Sequence, residues 1–330
     1  MGLTALVGLL LANPVHCVPR RADLVPPAGE VFARLGGSAL GSAGTCRPGE
    51  VPRAGSPEVD PLPPSPGAVP DEEGCRPQGC WAWAGWNDRR RMRGAGARLS
   101  IEAPPTSSPD HSLAEVSLQW GDEGQDIVEL GWEVAPRRYG DPVPHLFVHR
   151  WVEGHACAQC PFQQWSPRLS PGVSLAAWTG AELSVGWLLW QGRAWAWADG
   201  EWLGAFDLGP SSRAPAVASV AQWFGEVFFA RSPPRVPMGN GRPADEPGAA
   251  RIREVCDVPD DRLDCVVRPA RFPRVTRPEL YRLRIDGPGA FRYGGPGEAP
   301  GAPLTPRPPP SSASGGTPTA TGRSAPSRPR

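Results

Sequence analysis

The sequence predicts an all-β protein, an antiparallel β-sandwich with disordered, Pro-rich extensions at both ends. Three observations predict it. The 330 residues include 40 Gly and 44 Pro, about a quarter of the chain, and Pro costs roughly 3 kcal/mol inside a helix. Apolar runs are short, rich in Val and Trp, and broken by Gly, Pro or Asp, the spacing of antiparallel strands. Ser117-Leu118-Gln119-Trp120 and Ala194-Trp195-Ala196-Trp197 alternate with the two-residue period of a strand.

In chain order, Leu3 to Ala12 is an apolar run too short to cross a membrane. It suits the core of a signal peptide, expected over residues 1–17. Residues 18–80 read as a Pro/Gly-rich linker or pro-segment, as in Pro61-Leu62-Pro63-Pro64-Ser65-Pro66-Gly67. All 14 Trp fall between Trp81 and Trp223. Large aromatics bury the most area per residue, so they place one domain at 81–297. Its expected strands are Arg98 to Ala103, Ala114 to Trp120, Ile127 to Val134, His145 to Val152, Ser184 to Trp190, Ala194 to Ala198 and Val220 to Ala230. The run from Ala214 to Val227 can also open with a helical turn or two. Residues 298–330 hold almost nothing to bury and read as a disordered tail.

Basic and acidic residues balance at 34 each. That removes electrostatics as a reason to expect nucleic acid or an acidic membrane as partner. No residue is Lys, which excludes a Lys Schiff base and a P-loop Lys. Eight Cys form four near pairs, Cys17 and Cys46, Cys75 and Cys80, Cys157 and Cys160, Cys256 and Cys265, as disulfides of an exported protein would. His149, His155, Cys157 and Cys160 are the alternative, a zinc set. With an export signal in front, disulfides are expected, and no metal or other cofactor.

Two carboxylates stand out. Glu129 lies in Ile127-Val128-Glu129-Leu130-Gly131-Trp132, and Glu226 in Trp223-Phe224-Gly225-Glu226-Val227-Phe228-Phe229. Strand alternation puts Glu129 on a face with Ile127, Gly131 and Glu133, and Glu226 on one with Phe224 and Phe228. A carboxylate among rings is desolvated, its pKa rises, and it suits acid/base work. If the two faces coincide, the pair can hold a water, one taking its proton while the other polarises a carbonyl. On half-buried strands each Glu would instead point to solvent. A nucleophile built from Cys157 and His155 is disfavoured because two Cys so close favour pairing. The remaining core His read as structural, and no serine-hydrolase elbow, zinc-protease or nucleotide-binding motif is present.

The order of motifs resembles the neprosin family, glutamic endopeptidases that cleave after proline. The resemblance opens at Gly94 to Ile101. It continues through Glu129-Leu130-Gly131-Trp132-Glu133-Val134 and Pro136 to Asp141, which look like the family's E-A-G-W-x-V-x-P-x-x-Y-G-D. Cys157 to Phe162, Trp195 and Trp197 with Leu203-Gly204, Gln222 to Val227, Met238-Gly239-Asn240-Gly241 and Phe291 to Gly297 follow in the family's order. Glu129 and Glu226 fall on its two catalytic glutamates. The resemblance implies a secreted, extracellular, monomeric peptidase with a β-sandwich, an N-terminal pro-segment and an acidic working pH. It also implies proline-containing peptide or protein substrates and metal-free hydrolysis by a water that the dyad activates. Three departures are visible: a shorter cysteine turn, Ala205-Phe206 in place of Tyr-Trp, and Phe224 in place of a Gly beside the second glutamate. Phe224 would narrow the site. The rival reading is a non-catalytic, Trp-rich β-sandwich that binds carbohydrate or peptide on exposed rings.

Overall fold

The computed structural model describes residues 17–27, 30–37, 40, 46–47, 49–52, 75–76, 79–121, 125–209, 215–230, 236–269 and 273–296. The expected signal peptide before Cys17 and the expected tail at 298–330 lie outside the described residues.

The described chain is almost all antiparallel β-structure, organised by one strand. Strands β1 (Cys17–Pro19) and β2 (Glu50–Pro52) pair with each other, and β3 (Cys75–Arg76) leads into the 22-residue β4 (Gly79–Ser100). Next come β5 (His111–Trp120), β6 (Asp126–Val134), β7 (His145–Val152), β8 (His155–Ala156) and β9 (Phe162–Gln164). They are followed by β10 (Glu182–Trp190), β11 (Arg193–Ala198), β12 (Glu201–Asp207) and β13 (Ala218–Phe229). Strands β14 (Arg251–Pro259), β15 (Val266–Val267), β16 (Pro273–Val275), β17 (Arg282–Gly287) and β18 (Ala290–Gly294) close the order. The first part of β4 pairs with β13, extending the row β8-β7-β6-β5-β13. Its last part pairs with β10 on one edge and β14 on the other, and from β10 the row runs on through β11, β12 and β9. One curled sheet thus has two halves that share β4, with β10 packed on β5 and β6. No helix among the described residues is long and apolar enough to cross a membrane.

Alternation decides what each half buries. From β5, Ala114, Val116, Leu118 and Trp120 enter the main core, and from β6 Val128, Leu130, Trp132 and Val134. Leu183, Val185, Trp187 and Leu189 of β10 join the same cluster. Two buried indoles donate to β4 carbonyls. Trp132 Nε1 donates to Ser100 O at 2.7 Å and Trp223 Nε1 to Gly96 O at 3.1 Å. In β11 the alternation has an unexpected sense. The small Ala194, Ala196 and Ala198 face the main core, while Trp195 and Trp197 face the other way with Trp202.

Those rings are covered by the stretch read as linker or pro-segment. Leu24, Val31, Phe32 and Leu35 are buried against Leu188, Trp195, Trp197 and Trp202. Phe32 stands 5.5 Å from Trp197 and 6.1 Å from Trp202. Hydrogen bonds pin the segment: Ser184 Oγ donates to Leu35 O at 3.0 Å and Arg168 Nη1 to Leu40 O at 2.8 Å. Residues 24–27 and 30–35 are therefore docked on the domain. Four apolar side chains scattered among Pro, Gly and Ala are too few to show a period, yet enough to fill a ready-made apolar face.

Of the remaining expectations, the helical opening is corrected and the disulfides hold at three of the pairs. The run after residue 214 is strand, not helix, from Ala218 on, because pairing with β4 and β5 on both edges overrides local propensity. Cys17–Cys46, Cys157–Cys160 and Cys256–Cys265 are disulfides, and Cys80 is disulfide-bonded as well.

Candidate active site

The face of β4, β5, β6, β7 and β13 turned away from the main core carries the polar residues. In β5 it bears His111, Leu113, Glu115, Ser117 and Gln119, the alternates of the core residues. Register fixes the rest. Glu129 is opposite Ser117, and Ser117 is opposite Gln222. Glu226 is opposite Leu113, which is opposite Glu133. Glu129 and Glu226 thus share a face, two strands apart and offset by four residues. Glu115 lies midway on the diagonal between them, opposite Gly131 on one side and Phe224 on the other. The two glutamates singled out from the sequence are on one surface, with a third between them.

All are out of water. Glu115 is 1% exposed, Glu129 3%, Glu133 0% and Glu226 3%. Trp151 Nε1 donates to Glu129 Oε2 at 2.8 Å, and His149 Nδ1 approaches the same oxygen at 3.6 Å. On Glu133 Oε1 converge Arg138 Nη1 at 3.0 Å and Tyr139 Oη at 2.6 Å. Arg138 also touches His149 Nε2. Glu226 Oε1 is 3.6 Å from His111 Nε2, too far for a hydrogen bond. Among the described residues, Glu226 Oε2, Glu115 Oε1 and Glu133 Oε2 have no hydrogen-bond partner.

Burial sets the charges. Glu226 packs beside Trp83, Leu113, Phe224 and Phe228, and desolvation pushes its pKa up to about 8. Glu115 is pushed well up, first by desolvation, then by the negative charges of Glu129, Glu226 and Glu133. His111, stacked on Phe228 at 5.3 Å, is lowered by burial to about 4. Burial, then Arg138 and His111, hold His149 well below its usual range. Between pH 4 and 8, then, His111 and Glu226 are both neutral and their contact is no ion pair.

Local sequence explains how these groups are held. After β6 a single helical turn, α1 (Pro136–Tyr139), starts on a proline in its first turn and stops at Gly140, whose φ of 81° is left-handed. That turn folds Arg138 and Tyr139 back over Glu133, and Tyr139 stacks on His145 at 4.0 Å. Gly131 is required by close approach. A Cβ there would lie 1.9 Å from Ala114 O and 2.8 Å from the Cα of Glu115. Behind Glu226, Gly225 leaves room for Tyr293, whose ring would meet a Cβ at 2.0 Å. The glycines beside both glutamates thus serve packing. Phe224 stands 6.0 Å from Trp83 in a small apolar cluster with Leu113 and Phe147.

A cavity of about 740 Å³ opens next to this face. Tyr139, Phe147, His149 and Trp151 line one side, Phe162 and Phe206 another, and Val18, Pro19, Val51 and Pro52 a third. Its lining includes His149 and Trp151, which touch Glu129, but neither Glu129 nor Glu226 itself. Cys157 and Cys160, also on its wall, are bonded to each other, and His155 is exposed. Neither thiol nor imidazole is therefore arranged as a nucleophile, and His149 is engaged with Glu129 and Arg138. Sequence reading did not single out Glu115, Arg138 or Tyr139, and took His111 and His149 as structural. The Arg138 and Tyr139 signal lay in the Pro136-to-Asp141 motif. Glu115 had none, because it alternates with core residues as a solvent-facing residue would.

The family model described as Neprosin matches residues 108–296, more than half of the chain. Among solved structures, scytalido-glutamic peptidase with a peptide-based transition-state analogue matches with a TM-score of 0.42 at 13% identity, over 65% of this chain and 97% of that one. SCP-B, of the eqolisin peptidases, gives 0.38 at 12% over 65% and 97%. Chicken galectin 2 gives 0.25 at 10% over 46% and 95%. The chain belongs to the neprosin family of peptidases.

Proposed function

We propose that the protein is a secreted glutamic endopeptidase that cuts after proline, with Glu129 and Glu226 as its acid/base pair. One observation carries the reading: two buried glutamates of unlike environment share a face. Glu226 is surrounded by rings and holds a proton up to about pH 8, which suits a group that must donate. Glu129 accepts an N–H from Trp151, as a carboxylate would. A peptide laid across this face would have one carboxyl on either side. Glu129 takes a proton from water, the hydroxide adds to the carbonyl carbon, and Glu226 protonates the leaving nitrogen. Tyr139, Phe147, Trp151 and Phe206 give the neighbouring cavity flat apolar walls on which a proline ring can pack. Disulfides at both ends of the described chain support an oxidising, extracellular setting. The rival, a sugar or peptide binder displaying Trp rings, loses its platform, since Trp195, Trp197 and Trp202 are covered by the N-terminal segment.

Proline-containing peptides incubated at several acidic pH values, with products read by mass spectrometry, test the reading. Wild type should cut after proline, and Glu129→Gln and Glu226→Gln should each lose about 10²-fold or more. Folded wild type that cuts nothing would overturn the peptidase, and cuts elsewhere would overturn the proline preference.

A further inference from the structure

Acid/base hydrolysis leaves its two groups in the wrong state. After one turnover Glu129 holds the proton of the attacking water, while Glu226 has given its own to the amine. If the two carboxyls touched, the proton would pass back directly. They do not lie as neighbours: β5 separates their strands, and Glu226 is four residues further along than Gln222, the residue level with Glu129.

Glu115 occupies the position between them. Its diagonal neighbours are Glu129 and Glu133 on β6 and Gln222 and Glu226 on β13. Diagonal pairs in an antiparallel sheet stand about 7–8 Å apart at their Cα atoms, within reach of two glutamate side chains directly or through one water. Opposite Glu115, Gly131 has no side chain to intervene. Of its two oxygens, Oε1 has no partner among the described residues, at 1% exposure. Leaving a buried carboxyl oxygen unpaired is costly.

We propose that Glu115 is a positioning residue that returns the proton from Glu129 to Glu226 between turnovers. The inference rests on the peptidase reading above. In the reset step the Glu115 carboxylic acid gives its proton to the Glu226 carboxylate, and its other oxygen takes the proton held by Glu129. Glu129 returns to carboxylate, Glu226 to acid and Glu115 to acid, so no proton is gained or lost. The groups facing Glu115 make this workable. Glu133 is held by Arg138 and Tyr139, and His111 on its own strand is uncharged above about pH 4. Burial and the surrounding carboxylates keep Glu115 itself protonated.

Glu115→Gln keeps the shape and the hydrogen-bonding groups but cannot pass a proton on. With a proline-containing peptide in rapid-mix and steady-state assays, the variant should release its first product at the wild-type rate. Turnover should then slow at least tenfold, with KM falling in proportion and kcat/KM held at the wild-type value. Added acetate or formate should raise the slow rate in proportion to its concentration, and Glu115→Asp should recover part of it. A wild-type steady-state rate in Glu115→Gln would overturn the relay. So would equal loss of first and later turnovers without rescue by added acid, which marks a structural role. Near-UV circular dichroism checks folding, and if Glu115→Gln unfolds, Glu115→Asp carries the comparison: it must show the same burst and acid rescue in milder form. Wild type that cleaves nothing overturns the peptidase reading and the relay with it, whereas active wild type beside an unaltered Glu115→Gln overturns the relay alone.

Discussion

Glu226 and His111 approach to 3.6 Å, and burial moves them in opposite senses. The Glu226 pKa rises from 4.5 to about 8, so its contribution to stability is full below 4.5 and is lost as pH rises through 8. That of His111 falls from 6.5 to about 4, so its contribution is present above 6.5 and lost as pH falls through 4. Between 4.5 and 6.5 the two slopes oppose each other. Between 6.5 and 8 the Glu226 slope stands, reinforced by Glu115, which is shifted in the same direction. Thermal melts should therefore show stability falling from pH 6.5 to 8 by about 2 kcal/mol per such group, or roughly 4–8 °C in Tm. In Glu226→Gln that decline should shrink. Equal declines in wild type and variant would show that Glu226 ionises freely in the folded state. Catalysis should follow the same titration, with activity lost as pH rises through about 8, because the donor proton is gone.

At the scale of the strand, the two glutamates depend on how closely β5 and β6 approach. Gly131→Ala would place a methyl group on the Ala114 carbonyl. Relief requires the strands to part, at a cost of about 1–3 kcal/mol or more, and parting them moves Glu115 away from Glu129. Chemical denaturation should show that loss together with reduced peptidase activity, and an Ala variant of wild-type stability would mean the strands are already further apart. The alternation that produces this pair was legible: core residues Val128, Leu130, Trp132 and Val134 mark the other face of β6, and Glu226 was conspicuous among Phe and Trp. Two things were not. The Asn87-to-Arg93 part of β4 has Met92 as its lone large apolar side chain, and its strand character comes from partners on β13 and β14. Glu115 alternates with core residues as a solvated residue does, and only the register reveals that its face is buried.

Across the whole molecule, β4 is common to both halves of the curled sheet, so the glutamate face of one half and the Trp face of the other lie on the outside of the shared core. Each outer face then needs its own cover. For the Trp face the cover is Leu24, Val31, Phe32 and Leu35, with Phe32 seated against Trp197 and Trp202 and fully buried. Its absence from the sequence reading has a physical reason: a few apolar residues dock on a surface whose existence depends on the Ala/Trp alternation of a strand far along the chain. The segment is anchored by contacts and hydrogen bonds, and the Cys17–Cys46 disulfide brackets it in the chain. Phe32→Ala should cost about 3–5 kcal/mol, the range for emptying a buried Phe site, and lower Tm by roughly 10 °C. Because Phe32 touches neither glutamate nor the cavity beside them, kcat of the folded protein below its Tm should not change. A variant that melts like wild type would show that the segment adds nothing to stability. One that keeps its Tm deficit but also loses kcat would tie the Trp face to the glutamate face through β4.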